Sequence, residues 1–155
     1  MARSKNAKRL HYIAPWTSDD KMPTDTEWLR LAKFIQTIED DSDENTDDQG
    51  FYDGDGNPET ILTSRAERWN FEGFSDLEDP AQALIAGMKR KTGDNDRKLW
   101  HKIVETDGKT YVGVAKAMEI KAGSGDATDY EEFSGHLDFI GTPKEVTTEP
   151  ETPKN

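Results

Sequence analysis

Three histidines, His11, His101 and His136, are the first residues to weigh for chemistry, and they stand far apart with no H-x-x-x-H or H-x-E spacing among them. There is no cysteine, which removes disulfides, zinc-thiolate sites and thiol nucleophiles together. Asp53-Gly54-Asp55-Gly56-Asn57 opens like a calcium loop, but Pro58 stands where the loop needs glycine. Ser64 stands where it needs a bidentate glutamate. Adjacent carboxylates abound (Asp40 and Asp41, Asp47 and Asp48, Glu131 and Glu132), yet neighbours in so acidic a chain do not define a catalytic pair. Neither a G-x-S-x-G elbow nor a phosphate loop ending in G-K-[ST] is present. The residues point away from an enzyme and toward a protein without cofactor or metal.

Charge narrows the classes further. The net charge is −12, and the first ten residues carry Arg3, Lys5, Lys8 and Arg9 without an acid, which leaves −16 for the rest. A surface of that sign repels nucleic acid. Only 32% of the 155 residues are hydrophobic and 34% are charged, a thin supply for a self-contained core, although four tryptophans argue for an ordered domain. No apolar run approaches the roughly 18 to 20 residues that cross a bilayer, and Leu10–Pro15 is too short for a signal-peptide core. A soluble protein made in a cytoplasm, without a membrane anchor, is the expectation.

The elements that must position these residues follow from periodicity. Residues 1–26 have no clear period and are expected to be an extended arm, dispensable for folding. Trp28–Ile38 is a strand candidate, with Leu29, Leu31, Ile35 and Thr37 of one parity, against a competing helical spacing of Leu31, Phe34, Ile35 and Ile38. Residues 39–59 hold ten acids and no base and are expected to be a loop, the acidic tip of a long hairpin. Thr60–Phe71 resumes a strand. Pro80–Lys91 is the clearest helix: Asp79 caps it, Gln82 completes a capping box, and Ala81, Leu84, Ile85 and Met88 make one apolar face.

Asp107-Gly108 between Lys98–Glu105 and Tyr111–Lys121 marks a hairpin. Tyr130–Ile140 alternates Phe133, Leu137 and Phe139 against Glu132, Ser134, His136 and Asp138, a half-buried strand. The last residues, 143–155, have the composition of a flexible tail. The sum is an α+β arrangement: an antiparallel β-sandwich or barrel over 27–142, with one flanking helix, a long acidic hairpin loop and an extended N-terminal arm.

Two phrases carry a resemblance, ILTSRAERWNFEGFSDLEDPAQALIAGMK and YVGVAKAMEIKAGSGDATDYEEFSGHLDFIGTP. With the order of elements over 28–142, they resemble the major tail proteins of long-tailed, non-contractile bacteriophages of Gram-positive hosts. The resemblance implies a β-sandwich whose sheets join, six subunits to a ring, into an inner barrel, without the additional C-terminal immunoglobulin-like domain of some relatives. Rings would stack into a tail tube in the virion, assembled in the host cytoplasm. Its partners would be further copies of itself, the tape-measure protein, a tail terminator and a distal tail protein, and DNA would pass through without specific binding.

Lumen-lining residues are then expected among Glu132, Asp138, Glu119 and Glu67. Contacts between rings are expected from Asp40, Asp41, Asp43, Glu44, Asp47 and Asp48, with Arg3, Lys5, Lys8 and Arg9. Two other readings fit the same residues: a tail terminator or connector of the same fold, and an acidic DNA-mimic or inhibitor protein.

Overall fold

The computed structural model describes residues 3–146. Ten strands and one α-helix follow in chain order: β1 Leu10–Pro15, β2 Leu29–Arg30, β3 Ile35–Asp40, β4 Asp43–Gly50, β5 Pro58–Ala66, β6 Arg68–Phe74, α1 Pro80–Ala86, β7 Lys98–Val104, β8 Thr110–Ala122, β9 Glu132–Phe139 and β10 Lys144–Val146. Eight of the strands form one antiparallel sheet in the order β2-β1-β7-β8-β9-β6-β3, with β10 also on β8, while β4 and β5 form a separate two-stranded ribbon.

The two end strands of the sheet, β2 and β3, are joined by only residues 31–34, so the sheet must curl to bring its edges together. Among the described residues it is a half-barrel with a single α-helix, as the alternating patterns lead one to expect. The joint is tight. Phe34 adopts a left-handed φ of 61°, and its carbonyl accepts from the Phe74 N–H at 2.9 Å. A Cβ on Gly73 would lie 2.1 Å from that same oxygen, so glycine alone admits the approach.

Inside the curl lie Ile13, Leu99, Ile103, Phe133, Leu137, Trp69 and Phe71, closed at one side by Ala81, Ile85 and Met88 of the helical segment. Ile13, Leu99, Ile85 and Phe133 are wholly buried, each stabilising the fold by about 1.5–3 kcal/mol. Asp79 caps α1 by accepting from the Gln82 N–H at 3.2 Å, and Pro80 opens the first turn. Gln82 does not complete a capping box. Its amide is fully buried and donates to the Lys33 and Phe74 carbonyls at 2.9 Å each, while its oxygen accepts from Asp76 N–H at 2.7 Å. One side chain thus ties helix, strand joint and loop. The helix also ends at Ala86, before Lys91, because the chain passes Gly87 into three-residue turns that still bury Met88.

Four expectations change. Leu10–Pro15 is not part of a free arm: β1 pairs with both β1 neighbours, β7 and β2, and Ile13 and Ala14 are fully buried. Its short alternating run was masked by the basic residues before it. The acidic segment 39–59 is not an irregular loop, since β4 pairs with β5 along eight residues despite its carboxylates. Its side chains point to water on both faces, where repulsion is screened and the backbone ladder survives. Thr60–Phe71 and Trp28–Ile38 are each two strands, broken at Glu67 and at the residue 31–34 joint. Lys144–Val146, placed in the flexible tail, pairs with β8 as β10; residues 147–155 of that tail lie outside the described residues.

Candidate assembly surfaces

Three regions emerge from side-chain placement: a polar sheet face, a buried histidine pair and the projecting ribbon. The outer face of β3-β6-β9-β8 is polar. Its outward positions include Thr37, Glu39, Asn70, Glu72, Ser134 and His136, which line a shallow groove with Glu119 and Lys121. A register shift between Met118 and Lys121 gives Glu119 a left-handed φ of 49° and turns it toward His136. His136 Nδ1 lies 2.7 Å from Asp138 Oδ1, and its Nε2 lies 3.5 Å from Glu119 Oε1. Asp138 also accepts from Arg68 Nε at 2.9 Å.

Of the four acids expected to line a lumen, the structure brings Glu119 and Asp138 together on this face. Glu132 joins them at the start of β9, exposed and of the same parity. Glu67 stands apart. It accepts from Trp69 Nε1 at 2.8 Å and from Arg65 Nη1 at 2.9 Å, at the mouth of the half-barrel. That mouth is a cleft of about 960 Å³, bordered also by the Arg9–Glu105 ion pair at 2.7 Å. Sequence reasoning missed Glu39 and Glu72. The parity of Trp69 and Phe71, both inward, would have put Glu72 outward, whereas Glu39 was absorbed into the acidic run.

His11 and His101 lie on neighbouring strands inside the curl, with His11 Nδ1 at 3.1 Å from His101 Nε2. His101 stacks on Phe139 at 4.9 Å and His11 meets Trp69 edge-on at 5.0 Å. Burial, then the Arg9 charge, lowers the His11 pKa to about 4. Burial, then His11, holds His101 well below the ordinary value. Both are neutral packing residues at pH 7. Among the described residues, no group of three or more His, Cys, Asp or Glu is placed to hold a metal ion.

The ribbon has no core. Every residue of β4 is exposed, and Phe51 and Leu62 are about half exposed and Tyr52 fully so. Asp43, Glu44, Asp47 and Asp48 lie on β4, with Glu44 3.2 Å from Arg65. Asp40 and Asp41 lie at its root: Asp40 accepts from the Ser42 hydroxyl, and Asp41 is 3.9 Å from Arg68. Arg3, Lys5 and Lys8 are exposed before β1, whereas Arg9 is taken up by Glu105.

No family model and no curated protein matches the sequence. The fold, however, is shared with solved structures. A chain from the tail of an empty gene transfer agent particle, refined helically with C6 symmetry, superposes with a TM-score of 0.63 at 11% identity. The match covers 93% of this chain and 99% of that one. A chain of the virion of a native gene transfer agent particle superposes with a TM-score of 0.58 at 14% identity, over 92% and 99% of the two chains. At these identities the likeness is one of fold.

Proposed function

We propose that this chain is a structural subunit of a phage-type tail, polymerising as stacked hexameric rings into a tail tube that conducts DNA. The observation that carries the reading is the nearly end-to-end superposition, without an unmatched domain on either side, on a chain from a helical tail of C6 symmetry. The subunit's own surfaces suit such a role. Edge strands β2 and β3 retain unpaired backbone groups on their outer sides, a liability in a monomer and an interface in a ring. The ribbon spends eight residue pairs on a projection that buries nothing within the chain.

In this reading the polar face of β3, β6 and β9, with the Glu119–Lys121 end of β8, turns to the channel. DNA carries about one negative charge per 1.7 Å of duplex axis, and a basic lining would hold it by counterion release. Glu39, Glu72, Glu119, Glu132 and Asp138 instead repel it and keep it mobile. The ribbon acids, with Arg3, Lys5 and Lys8, contact the next ring. Further partners are those the resemblance implies: tape-measure, terminator and distal tail proteins of a non-contractile tail from a phage of a Gram-positive host, assembled in the cytoplasm.

Light scattering and negative-stain electron microscopy of the purified protein test this. Long hollow tubes are expected; assembly that stops at one ring makes the chain a connector or terminator, and a stable monomer at high concentration ends the reading. Glu132→Lys with Asp138→Lys in the phage is expected to leave tails intact while slowing DNA ejection at low salt.

A further inference from the structure

The chain has 32 acids and 20 Lys or Arg residues, so a basic side chain near the surface has many acids available to it. Several take one: Arg9 with Glu105, Lys33 with Asp76, Arg65 with Glu44 and Glu67, Arg68 with Asp41 and Asp138. Most of the others do not among the described residues, and five of these, Arg30, Lys98, Lys102, Lys116 and Lys144, share one face. On the outer side of β2-β1-β7-β8-β10, Arg30 stands opposite Tyr12, Tyr12 opposite Lys102, Lys102 opposite Val112 and Val112 opposite Lys144. Four residues away along β7, Lys98 stands directly across from Lys116, which faces Asp138 of β9 on its other side, with Trp100 on the row between. A cross-strand pair of like charges is locally unfavourable. Among the described residues none of these five forms an ion pair within the chain.

The same face is aromatic. Lys98 lies 4.7 Å from the Trp16 ring, and Lys102 lies 4.7 Å from Tyr12 and 4.8 Å from Trp28. Trp16 and Trp28 pack on Trp100, Ala14 and Val112 as a small second cluster outside the curl and remain partly exposed. Asp19, bonded to Trp16 Nε1, and Asp25, whose charge opposes the burial that lowers the Lys102 pKa, are acids of the overlying segment. Neither closes the rows.

We infer that this lysine and tryptophan face of β1, β7 and β8 is the docking surface for the acidic ribbon of a second copy of this chain. The inference rests on the self-assembly reading above and names the surface that the ribbon would meet. Charge and shape both favour that occupant. The ribbon offers Asp43 and Asp47 on one side and Glu44 and Asp48 on the other, each pair four residues apart, or about 13 Å along a strand. Lys98 and Lys102 are also four residues apart on one side of β7. Phe51, Tyr52 and Leu62 supply exposed apolar contacts for Trp16 and Trp28. The ribbon does not serve its own copy in this way, because every residue of β4 is exposed and Phe51, Tyr52 and Leu62 stay uncovered.

The test is charge exchange. Lys98→Glu with Lys116→Glu keeps the like-charge pair between β7 and β8 but sets an acid across from Asp138, so a thermal melt checks the fold. A milder Lys98→Gln with Lys116→Gln variant covers the case in which the fold is lost. Face reversal is expected to raise the concentration needed for assembly by about tenfold or more. Asp47→Lys with Asp48→Lys is expected to do the same, and the two sets combined in one chain to restore assembly. Because the chain has no native cysteine, Asp48→Cys with Lys116→Cys should also give crosslinked ladders between copies on oxidation.

Folded face variants that assemble like wild type, or a combined variant that stays unassembled, would overturn the docking surface while the assembly reading stands. Wild-type protein that never assembles overturns both. Retention of duplex DNA by wild type but not by the face variants, with assembly unchanged, assigns the face to nucleic acid instead.

Discussion

The half-barrel and the ribbon are both antiparallel β-structure in one short chain, yet different forces hold them. Strands of the half-barrel place one side chain in two against a common interior, and Ile13, Leu99, Phe133 and Leu137 vanish from solvent. The ribbon presents carboxylates on both faces and keeps only its backbone ladder and a few exposed side-chain bonds, such as Thr60 Oγ1 to Asp48 at 2.8 Å. An isolated hairpin is marginal in water. The ribbon's regularity therefore reports what the rest of the molecule and its partners do at its two ends, and the half-barrel's reports its own core. The roots of the ribbon touch, with the Asp41 N–H donating to the Arg68 carbonyl at 2.8 Å, so the two regions are joined at one narrow point.

Removal of each region in turn should break that comparison most sharply. Deleting residues 1–15 takes away β1 from between β2 and β7 and opens the interior at Ile13. The loss should exceed the roughly 5–15 kcal/mol by which domains of this size are stable, giving insoluble protein or a flat melt by circular dichroism. Replacing residues 43–66 by a two-residue turn should move the melting temperature by only a few degrees and abolish assembly. Equal damage from the two deletions would mean that the ribbon contributes to the core.

Within the half-barrel, Ile85→Ala should cost about 2–5 kcal/mol, seen as a lower denaturant midpoint, because the residue is fully buried between helix and sheet. The histidine pair sharpens the same point through pH. His11 is held at about 4 in the fold, against 6.5 when exposed, so protonation favours the unfolded chain. Its stabilising share is complete above pH 6.5 and is lost as pH falls toward 4, a difference of about 3 kcal/mol at about 1.4 kcal/mol per pH unit. His101 acts in the same direction. A His11→Leu variant should lose less stability than wild type over that window in pH-dependent chemical unfolding. The smallest effect belongs to the ribbon: Asp48→Ala should change the melting midpoint of the unassembled protein by less than about 0.5 kcal/mol.

Much of this was legible in the order of residues. The Asp79 cap, the Asp107-Gly108 turn and the alternation of Phe133, Leu137 and Phe139 are local signals, since each depends on dihedral preference or on period, and neighbours in sequence suffice to set them. The single helix, the antiparallel strands and the acidic projection followed from such signals. Tertiary structure decided what local signals do not contain. Leu10–Pro15 is short and flanked by basic residues, and only pairing on both sides makes it a central strand. Gln82 has the spacing of a capping box, but the Asp76 N–H takes its side-chain oxygen while its NH2 donates to the Lys33 and Phe74 carbonyls. The lysines of β7 and β8 are scattered in sequence and become one face only when the register sets Lys98 across from Lys116. Periodicity tells which side of a strand a residue occupies; which strands lie beside it is settled by long-range pairing that brings distant residues into contact, and that information is carried by the packed interior as a whole.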